Sequence, residues 1–500
     1  MISAAFVVWA TLVAASPIAA QIRAVAALSG DPAIVSAAGE TRDDVPILTL
    51  ENSGAFDPTT TRRRLILIGT RDGGARGADA VLAAVRWFKT RASAAARRGW
   101  TISALPSPRF DAADASSLPR WLTFQAPDLV VTIGGEDAAM RDGLETVPHM
   151  AIAAPDPVPA LAKILSTPIG RSALHAELIA RVQREPIVIA RLLAARYPDT
   201  PSISYIPAVA WVSTLRLGDD WLRRKVLDQI APWLSGDRKM FGDRIQLTSV
   251  AGAMVFAELA KAGGNEAATT LAADAAALAA ARKPDGTAQY GAGWTDDMFM
   301  AGSILSRAGL LPGRSADVGR AAERLTEYAS RLQRPDGVFN HAIDGPFAWG
   351  RGNGFAALGL IEVLTVIPAD DPARPALLGI YRRQMAAAKR HQAPDGMWRQ
   401  IIDAPGAYRE ESATAMLTTA MARGVRLGWI DASYQPAVER AWRALAAHIA
   451  GDGTVIDVCA STGAGPTRRY YFDRPAVTGA DDRGGAMALL AAMEIAMEMK

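Results

Sequence analysis

The chain has 500 residues, half of them hydrophobic and 21% charged, with 54 Lys and Arg against 51 Asp and Glu. That balance excludes wholesale disorder, and the length exceeds what one ordinary core organises, so two folded units are expected. A net charge of +3 without any dense Lys/Arg run argues against a nucleic-acid partner, and a single cysteine, Cys459, excludes an internal disulfide, a cysteine-based zinc site and a redox pair.

Residues 1–20 are apolar apart from Ser3, Thr11 and Ser16 and end in small residues (Ala15, Ala19, Ala20) before Gln21. They read as a secretory signal peptide, with a buried N-terminal helix or an uncleaved anchor as the alternatives, since no Lys or Arg precedes the apolar stretch. An exported protein, periplasmic or extracellular, follows from the signal reading. No later segment stays apolar long enough to cross a bilayer, so no stable membrane partner is expected beyond that segment.

Residues 21–160 read as a small α/β domain. Leu65-Ile66-Leu67-Ile68 and Leu129-Val130-Val131-Thr132-Ile133 have the continuous apolar character of buried strands, and a helical stretch runs from about Ala78 to Arg97. Strands alternating with helices predict a parallel sheet. Its turns, Asp72-Gly73-Gly74 and Gly134-Gly135-Glu136-Asp137, match no phosphate-binding or nucleophile motif, and His149 has no ligand-like spacing to Glu136 or Asp137.

Residues 161–204 read as a helical connector and 205–500 as a mainly α domain. Ala-, Leu- and Arg-rich segments such as 173–196, 205–216, 246–262, 296–308, 351–366, 411–427 and 483–499 carry apolar residues at helical spacing. Between them Pro284-Asp285-Gly286, Pro335-Asp336-Gly337 and Pro394-Asp395-Gly396 recur, echoed by Gly451-Asp452-Gly453, at steps of 51, 59 and 57 residues. Pro sets φ, Asp bonds its own backbone and Gly tolerates positive φ, so each triplet is a turn closing one helix of a repeated hairpin. About six such hairpins occupy residues 205–500, and a closed toroid, the (α/α)6 barrel, leaves no unpaired end where an open solenoid would. Loops following the outer helices then gather at one mouth.

Those loops are unlike the Ala-rich helices. Gly293-Trp294-Thr295-Asp296-Asp297, Phe339-Asn340-His341, Trp349-Gly350-Arg351, Met397-Trp398-Arg399 and Tyr408-Arg409-Glu410-Glu411 combine rings with charges. Sugars need both: aromatic faces for their C–H surfaces and charged groups for hydroxyls and carboxylates. Helix capping by Thr295 or the acids, and plain surface charge, are the competing explanations.

Taken in order, WTDDMFMAG, HAID, WGRGNGF, PDGMWRQIID, YREESATAM, GVRLGW, VCASTG and YYFDRP resemble the unsaturated rhamnogalacturonyl hydrolases, glycoside hydrolase family 105, and more distantly the family 88 unsaturated glucuronyl hydrolases. The similarity covers about Tyr205 to Met499. It departs at Ile343 and Phe355, where members often carry Trp, and at Asp481-Asp482-Arg483, where they often carry His. The resemblance implies a catalytic Asp296 with Asp243 as second acid. It implies substrate contacts from His341, Trp349 and Arg351, with Trp294 and Trp398 lining the pocket. Arg351, or Arg399 or Arg409 in its place, would pair with the sugar carboxylate. The implied partner is an unsaturated acidic oligosaccharide left by a polysaccharide lyase, and the implied reaction is hydration of its enol-ether double bond without cofactor or metal. Two other readings remain: an inverting hydrolase of saturated glycans using Asp243 and Asp296 as its acid pair, and a glycan-binding scaffold without catalysis.

Overall fold

A computed structural model describes residues 17–52, 54, 57, 59–69, 75–108, 117–135, 144–153, 156–242 and 244–498; most of the expected signal segment and the candidate acid Asp243 lie outside these residues. The chain divides into two compact units, one running to Gln183 and one beginning at Arg184, with residues 393–395 and 404–408 grouped with the first.

The first unit contains α1 (Pro17–Ala26), β1 (Ile34–Glu40), β2 (Pro46–Glu51), β3 (Arg63–Ile68), α2 (Ala75–Thr90), α3 (Ala94–Gly99), β4 (Trp100–Leu105), α4 (Ser117–Gln125), β5 (Leu129–Ile133), β6 (His149–Ile152), α5 (Val158–Ser166) and α6 (Ala173–Val182). Its strands form one sheet in the order β1-β2-β4-β3-β5-β6. The expected parallel core is present in β4-β3-β5-β6, but the sheet as a whole is mixed, because β1 and β2 extend it as antiparallel neighbours. Their short runs lie among turn formers, which masks their periodicity. The central strands are buried on both faces: Leu65 and Leu67 join one apolar cluster with Val81, Val85 and Phe88, while Ile66 and Ile68 join another with Trp121 and Leu122. This is the period-two alternation of a strand covered on both sides. The segments 70–74, 109–116 and 136–143, which follow β3, β4 and β5 and include Glu136 and Asp137, lie outside the described residues. His149 is part-buried at the start of β6 and bonds through Nδ1 to the Val147 carbonyl.

The second unit consists of α7 (Pro186–Arg196), α8 (Tyr205–Leu217), α9 (Asp220–Leu234), α10 (Leu247–Gly252), α11 (Met254–Lys261), α12 (Glu266–Ala280), α13 (Thr295–Ala308), α14 (Ala316–Leu332), α15 (Gly350–Val366), α16 (Arg374–His391), α17 (Glu411–Arg426), α18 (Gln435–Ala447), the strands β7 (Val455–Cys459) and β8 (Ala476–Gly479) around α19 (Arg468–Phe472), and α20 (Asp482–Glu498). The segment 161–204 is therefore divided between the units. The expected helix 173–196 is two helices because Pro186, lacking an N–H, starts a new one. Six hairpins are formed, each an outer helix followed by an inner one, with α10 and α11 together serving as one inner helix. The inner helices pack in a closed ring: α8 against α10 and α11, these against α13, then α15, α17 and α20, which returns to α8. This is an (α/α)6 barrel. Among the described residues no helix is long and apolar enough to cross a membrane.

The turn triplets do what their chemistry predicts. Gly286, Gly337, Gly396 and Gly453 take φ of 82°, 98°, 103° and 83°, and Oδ1 of Asp285, Asp336 and Asp452 accepts from the N–H two residues on. All four turns follow outer helices, so the residues after them stand at the N-terminal ends of the inner helices. The opposite end is closed by charge. Near its C-terminus each inner helix contributes a member to a series of ionic side chains that alternates in sign: Arg216, Glu258, Arg307, Glu362, Arg423 and Glu494. Consecutive members pair at 2.7, 2.9, 2.6, 3.5 and 2.7 Å, and Arg426 adds a second bond to Glu494.

Candidate active site

Thr295, Asp296 and Asp297 form the first turn of α13, the end of a helix at which negative charge is favoured. The two acids divide the work. Asp297 folds back as the capping group: its Oδ2 accepts from the N–H of Gly293 (2.7 Å), the N–H of Trp294 (3.3 Å) and the hydroxyl of Tyr328 (2.8 Å). Burial raises its pKa to about 6, with the neighbouring Asp296 adding to the rise and the three donors opposing it. Asp296 is left 13% exposed at the mouth. Its Oδ2 lies 3.1 Å from Nε2 of His341 and 3.5 Å from the Thr295 hydroxyl.

His341 is fully buried. Its ring lies between those of Trp294 (5.2 Å between centroids) and Trp349 (4.6 Å), and its Nδ1 is 2.8 Å from the hydroxyl of Tyr471. Its backbone carbonyl accepts from Thr295 N–H, tying this loop to the start of α13. Asp296, His341, Trp294 and Trp349, drawn from two loops after outer helices, are thus brought together as the sequence anticipates. Trp349 is itself fully buried, and its indole N–H has no hydrogen-bond partner among the described residues.

Other expected site residues stand differently. Arg351 lies at the start of α15, but it is buried, and its guanidinium already donates to the carbonyls of Cys459 (2.6 Å) and Ala460 (2.9 Å) while stacking over Trp349 at 4.8 Å. It braces the segment after β7 rather than standing open as a carboxylate clamp. Trp398 is fully buried and its indole donates to the Ala388 carbonyl at 2.8 Å, so it belongs to the wall between loop and outer helix and not to the pocket lining. Arg399 and Arg409 are buried too, and their backbones pair as a β-bridge. The Arg399 carbonyl would be 2.4 Å from a Cβ placed at Gly350, which keeps this bridge against the start of α15 and requires glycine there. For Arg351 and Trp398 the polar group of the side chain satisfies buried backbone carbonyls. Asp243 lies outside the described residues.

Two further groups emerge only in three dimensions. Tyr471, in α19, supplies the hydroxyl that meets His341 across 130 residues of sequence. Glu411, the first residue of α17, is fully buried with neither carboxyl oxygen hydrogen-bonded among the described residues. Burial pushes its pKa well above the usual range, reinforced by the charges of Glu410 and Asp481 and opposed by Arg351. Glu410 by contrast caps α17, accepting from Ser412 and Ala413 N–H and from Cys459 N–H. The one advance signal for both was composition: rings and acids concentrated in short stretches of an Ala-rich domain. Among the described residues no group of three or more His, Cys, Asp or Glu side chains is placed to hold a metal ion.

A ring of helical hairpins with an acid, a histidine and two indoles at its mouth has the architecture of a carbohydrate-active (α/α)6 barrel. The family comparison agrees: residues 197–499 match the model of Glycosyl Hydrolase Family 88, and the chain belongs to that family. It is 29% identical over 177 residues to the unsaturated rhamnogalacturonyl hydrolase YesR of Bacillus subtilis (34% of this chain, 50% of that protein). It is 35% identical over 115 residues to an unsaturated 3S-rhamnoglycuronyl hydrolase of Formosa agariphila (22% of this chain, 30% of that protein). The matched regions thus span half or less of these relatives' length. Among solved structures, a possible family 105 member from Salmonella enterica superposes over 67% of this chain and 98% of its own with a TM-score of 0.56 at 21% identity, which establishes a shared fold. A family 88 hydrolase from Bacteroides vulgatus does so over 62% and 98% with a TM-score of 0.53 at 17% identity.

Proposed function

We propose that the protein is an exported hydrolase that removes the 4,5-unsaturated uronic acid from the non-reducing end of lyase-generated acidic oligosaccharides of the rhamnogalacturonan type. The observation that carries this reading is the solvent-facing carboxyl of Asp296, held on one side by His341 and backed by a second acid, Asp297, that is committed to capping.

One acid is sufficient for this chemistry. The C4=C5 bond and the ring oxygen of the substrate form an enol ether. Protonated Asp296 gives its proton to C4, and positive charge develops at C5 and the ring oxygen. Water adds at C5 and returns a proton to the Asp296 carboxylate, which restores the acid. The resulting hemiketal opens to a ketone at C5, leaving a hydroxyl beside the glycosidic oxygen on C1. That hemiacetal collapses to an aldehyde and releases the next sugar. Trp294, which is only part-buried, provides a ring surface for the sugar, Trp349 backs His341 from within the wall, and the relatives named above support the substrate class.

The test is incubation of purified protein with a panel of unsaturated disaccharides, following loss of the enol-ether ultraviolet band. Asp296→Asn is expected to lower kcat by about 10²–10⁴-fold, the usual worth of a positioned acid–base group, with KM little changed. Turnover of the variant at the wild-type rate, or cleavage confined to saturated glycans, overturns the reading.

A further inference from the structure

The hydrogen bonds around His341 have a direction that the ring alone does not reveal. The imidazole is fully buried between two indoles, so its nitrogens depend on protein partners: Tyr471 at Nδ1 and Asp296 at Nε2. A neutral imidazole carries one donor and one acceptor. The hydroxyl of Tyr471 has two contacts among the described residues, and one of them, the N–H of Gly465 at 3.1 Å, is a donor. The only acceptor that this contact set offers the phenolic proton is therefore Nδ1 of His341. Burial pushes the Tyr471 pKa up to about 12, with the Gly465 N–H opposing, so the proton stays on the phenol. Gly345 leaves the space that the hydroxyl occupies, since a Cβ there would lie 2.3 Å from it, and the Tyr471 backbone is held by Gln400, whose side-chain amide donates to its carbonyl at 3.0 Å.

We infer that Tyr471 is a positioning residue: its hydroxyl locks His341 in the Nε2–H tautomer, which makes Oδ2 of Asp296 a permanent acceptor and directs the transferable proton to Oδ1. The chain runs Gly465 N–H to Tyr471 oxygen, Tyr471 O–H to Nδ1, and Nε2–H to Asp296 Oδ2. The Thr295 hydroxyl also donates to Oδ2, so among the described residues both hydrogen bonds at this carboxyl fall on one oxygen. The other oxygen carries the proton toward C4 and later receives one from water. His341 keeps the same tautomer throughout, and no imidazolium is required. The role in proton transfer rests on the function proposed above; the tautomer itself does not.

The experiment uses the full chain labelled with 15N-histidine. Imidazole nitrogen shifts of the ligand-free protein, with His341→Gln as the assignment control, report its tautomer. Wild type is expected as the Nε2–H form. In Tyr471→Phe, which keeps the ring but removes the donor, a fraction of His341 is expected to appear in the Nδ1–H form, since only the Asp296 contact then favours Nε2–H. Turnover of an unsaturated disaccharide is then expected to fall about 10–100-fold in kcat, as for other partners that orient a reactive side chain, with KM changed less than about 3-fold. A wild-type His341 in the Nδ1–H or imidazolium form overturns the inference, whether or not the variant folds. So does a Tyr471→Phe protein with unaltered tautomer and turnover. A tautomer that converts in the variant while wild type turns over no unsaturated substrate upholds the lock and overturns the proposed reaction instead.

Discussion

Adjacent carboxyls at the start of α13 show how position within one helical turn assigns chemistry. Asp297 satisfies three donors and is consumed by them; Asp296, one residue earlier, is left facing the mouth. Glu410 and Glu411 repeat the contrast at the start of α17, where Glu410 caps and Glu411 is buried without a hydrogen bond among the described residues. Glu411 has a consequence for stability. Its folded pKa is raised by burial, so the folded state keeps a proton that the unfolded chain releases near pH 4–5. Stability therefore falls as pH rises above that value, by about 1.4 kcal/mol per pH unit, until the folded group itself ionises. Glu411→Gln, neutral at every pH, is expected to raise the melting temperature above wild type at pH 8 and to match it near pH 4. A wild-type advantage at pH 8 in thermal scans would count against a buried, neutral Glu411.

At the scale of elements, the turn triplets carry the repeat. Gly396 has φ of 103°, and a Cβ there would lie 2.3 Å from the Arg440 carbonyl oxygen in the neighbouring outer helix. Gly396→Ala meets both a backbone conformation that side chains disfavour and a collision with backbone that cannot swing away. A loss of roughly 1–3 kcal/mol is expected from the strain, read as a lowered midpoint in denaturant. By comparison Gly286→Ala, at φ of 82° but with open space around its Cβ, is expected to lose less. Equal losses would show that conformation alone matters at these turns. Of these elements, the sequence made the hairpin repeat and its turns legible, because Pro-Asp-Gly chemistry is local. The breaks at Pro186 and at Ala253, between α10 and α11, and the antiparallel strands β1 and β2 were less legible. Their existence depends on what packs beside them.

For the whole barrel, the end opposite the site is closed by an alternating circuit of charges on the six inner helices. Burial works against ionising Glu258 and Glu362, but the guanidinium groups of Arg216, Arg307 and Arg423 outweigh it and hold both below the usual carboxylate range. That contribution is present above the unfolded pKa near 4–5 and is lost as acid protonates the folded groups. The circuit thus limits the barrel on the acid side while Glu411 limits it on the alkaline side. Glu494 accepts from both Arg423 and Arg426. Glu494→Gln leaves two guanidinium groups short of a counter-charge, one of them buried, and is expected to cost about 3–5 kcal/mol. Because Arg423 and Glu494 are shielded from solvent, the loss is expected to persist in high salt. A variant that melts with wild type, or whose defect vanishes with added salt, would reduce the circuit to a surface ion pair.

By itself the sequence determined the barrel, its repeat and the acid at its mouth, because turn chemistry, helical periodicity and the order of motifs are properties of neighbours along the chain. It also placed Asp296, His341, Trp294 and Trp349 in loops that a closed ring must bring together. Only the tertiary structure decided which polar side chains remain available for chemistry. Arg351, Trp398, Arg399 and Arg409 share their composition with the residues gathered around Asp296, but they are buried away from its carboxyl contacts, and the hydrogen bonds of Arg351 and Trp398 go to backbone carbonyls that burial had stripped of water. Tyr471 acquires its role from a partner 130 residues away. Desolvation is a property of the packed assembly, and it is desolvation that separates a brace from a reactive group.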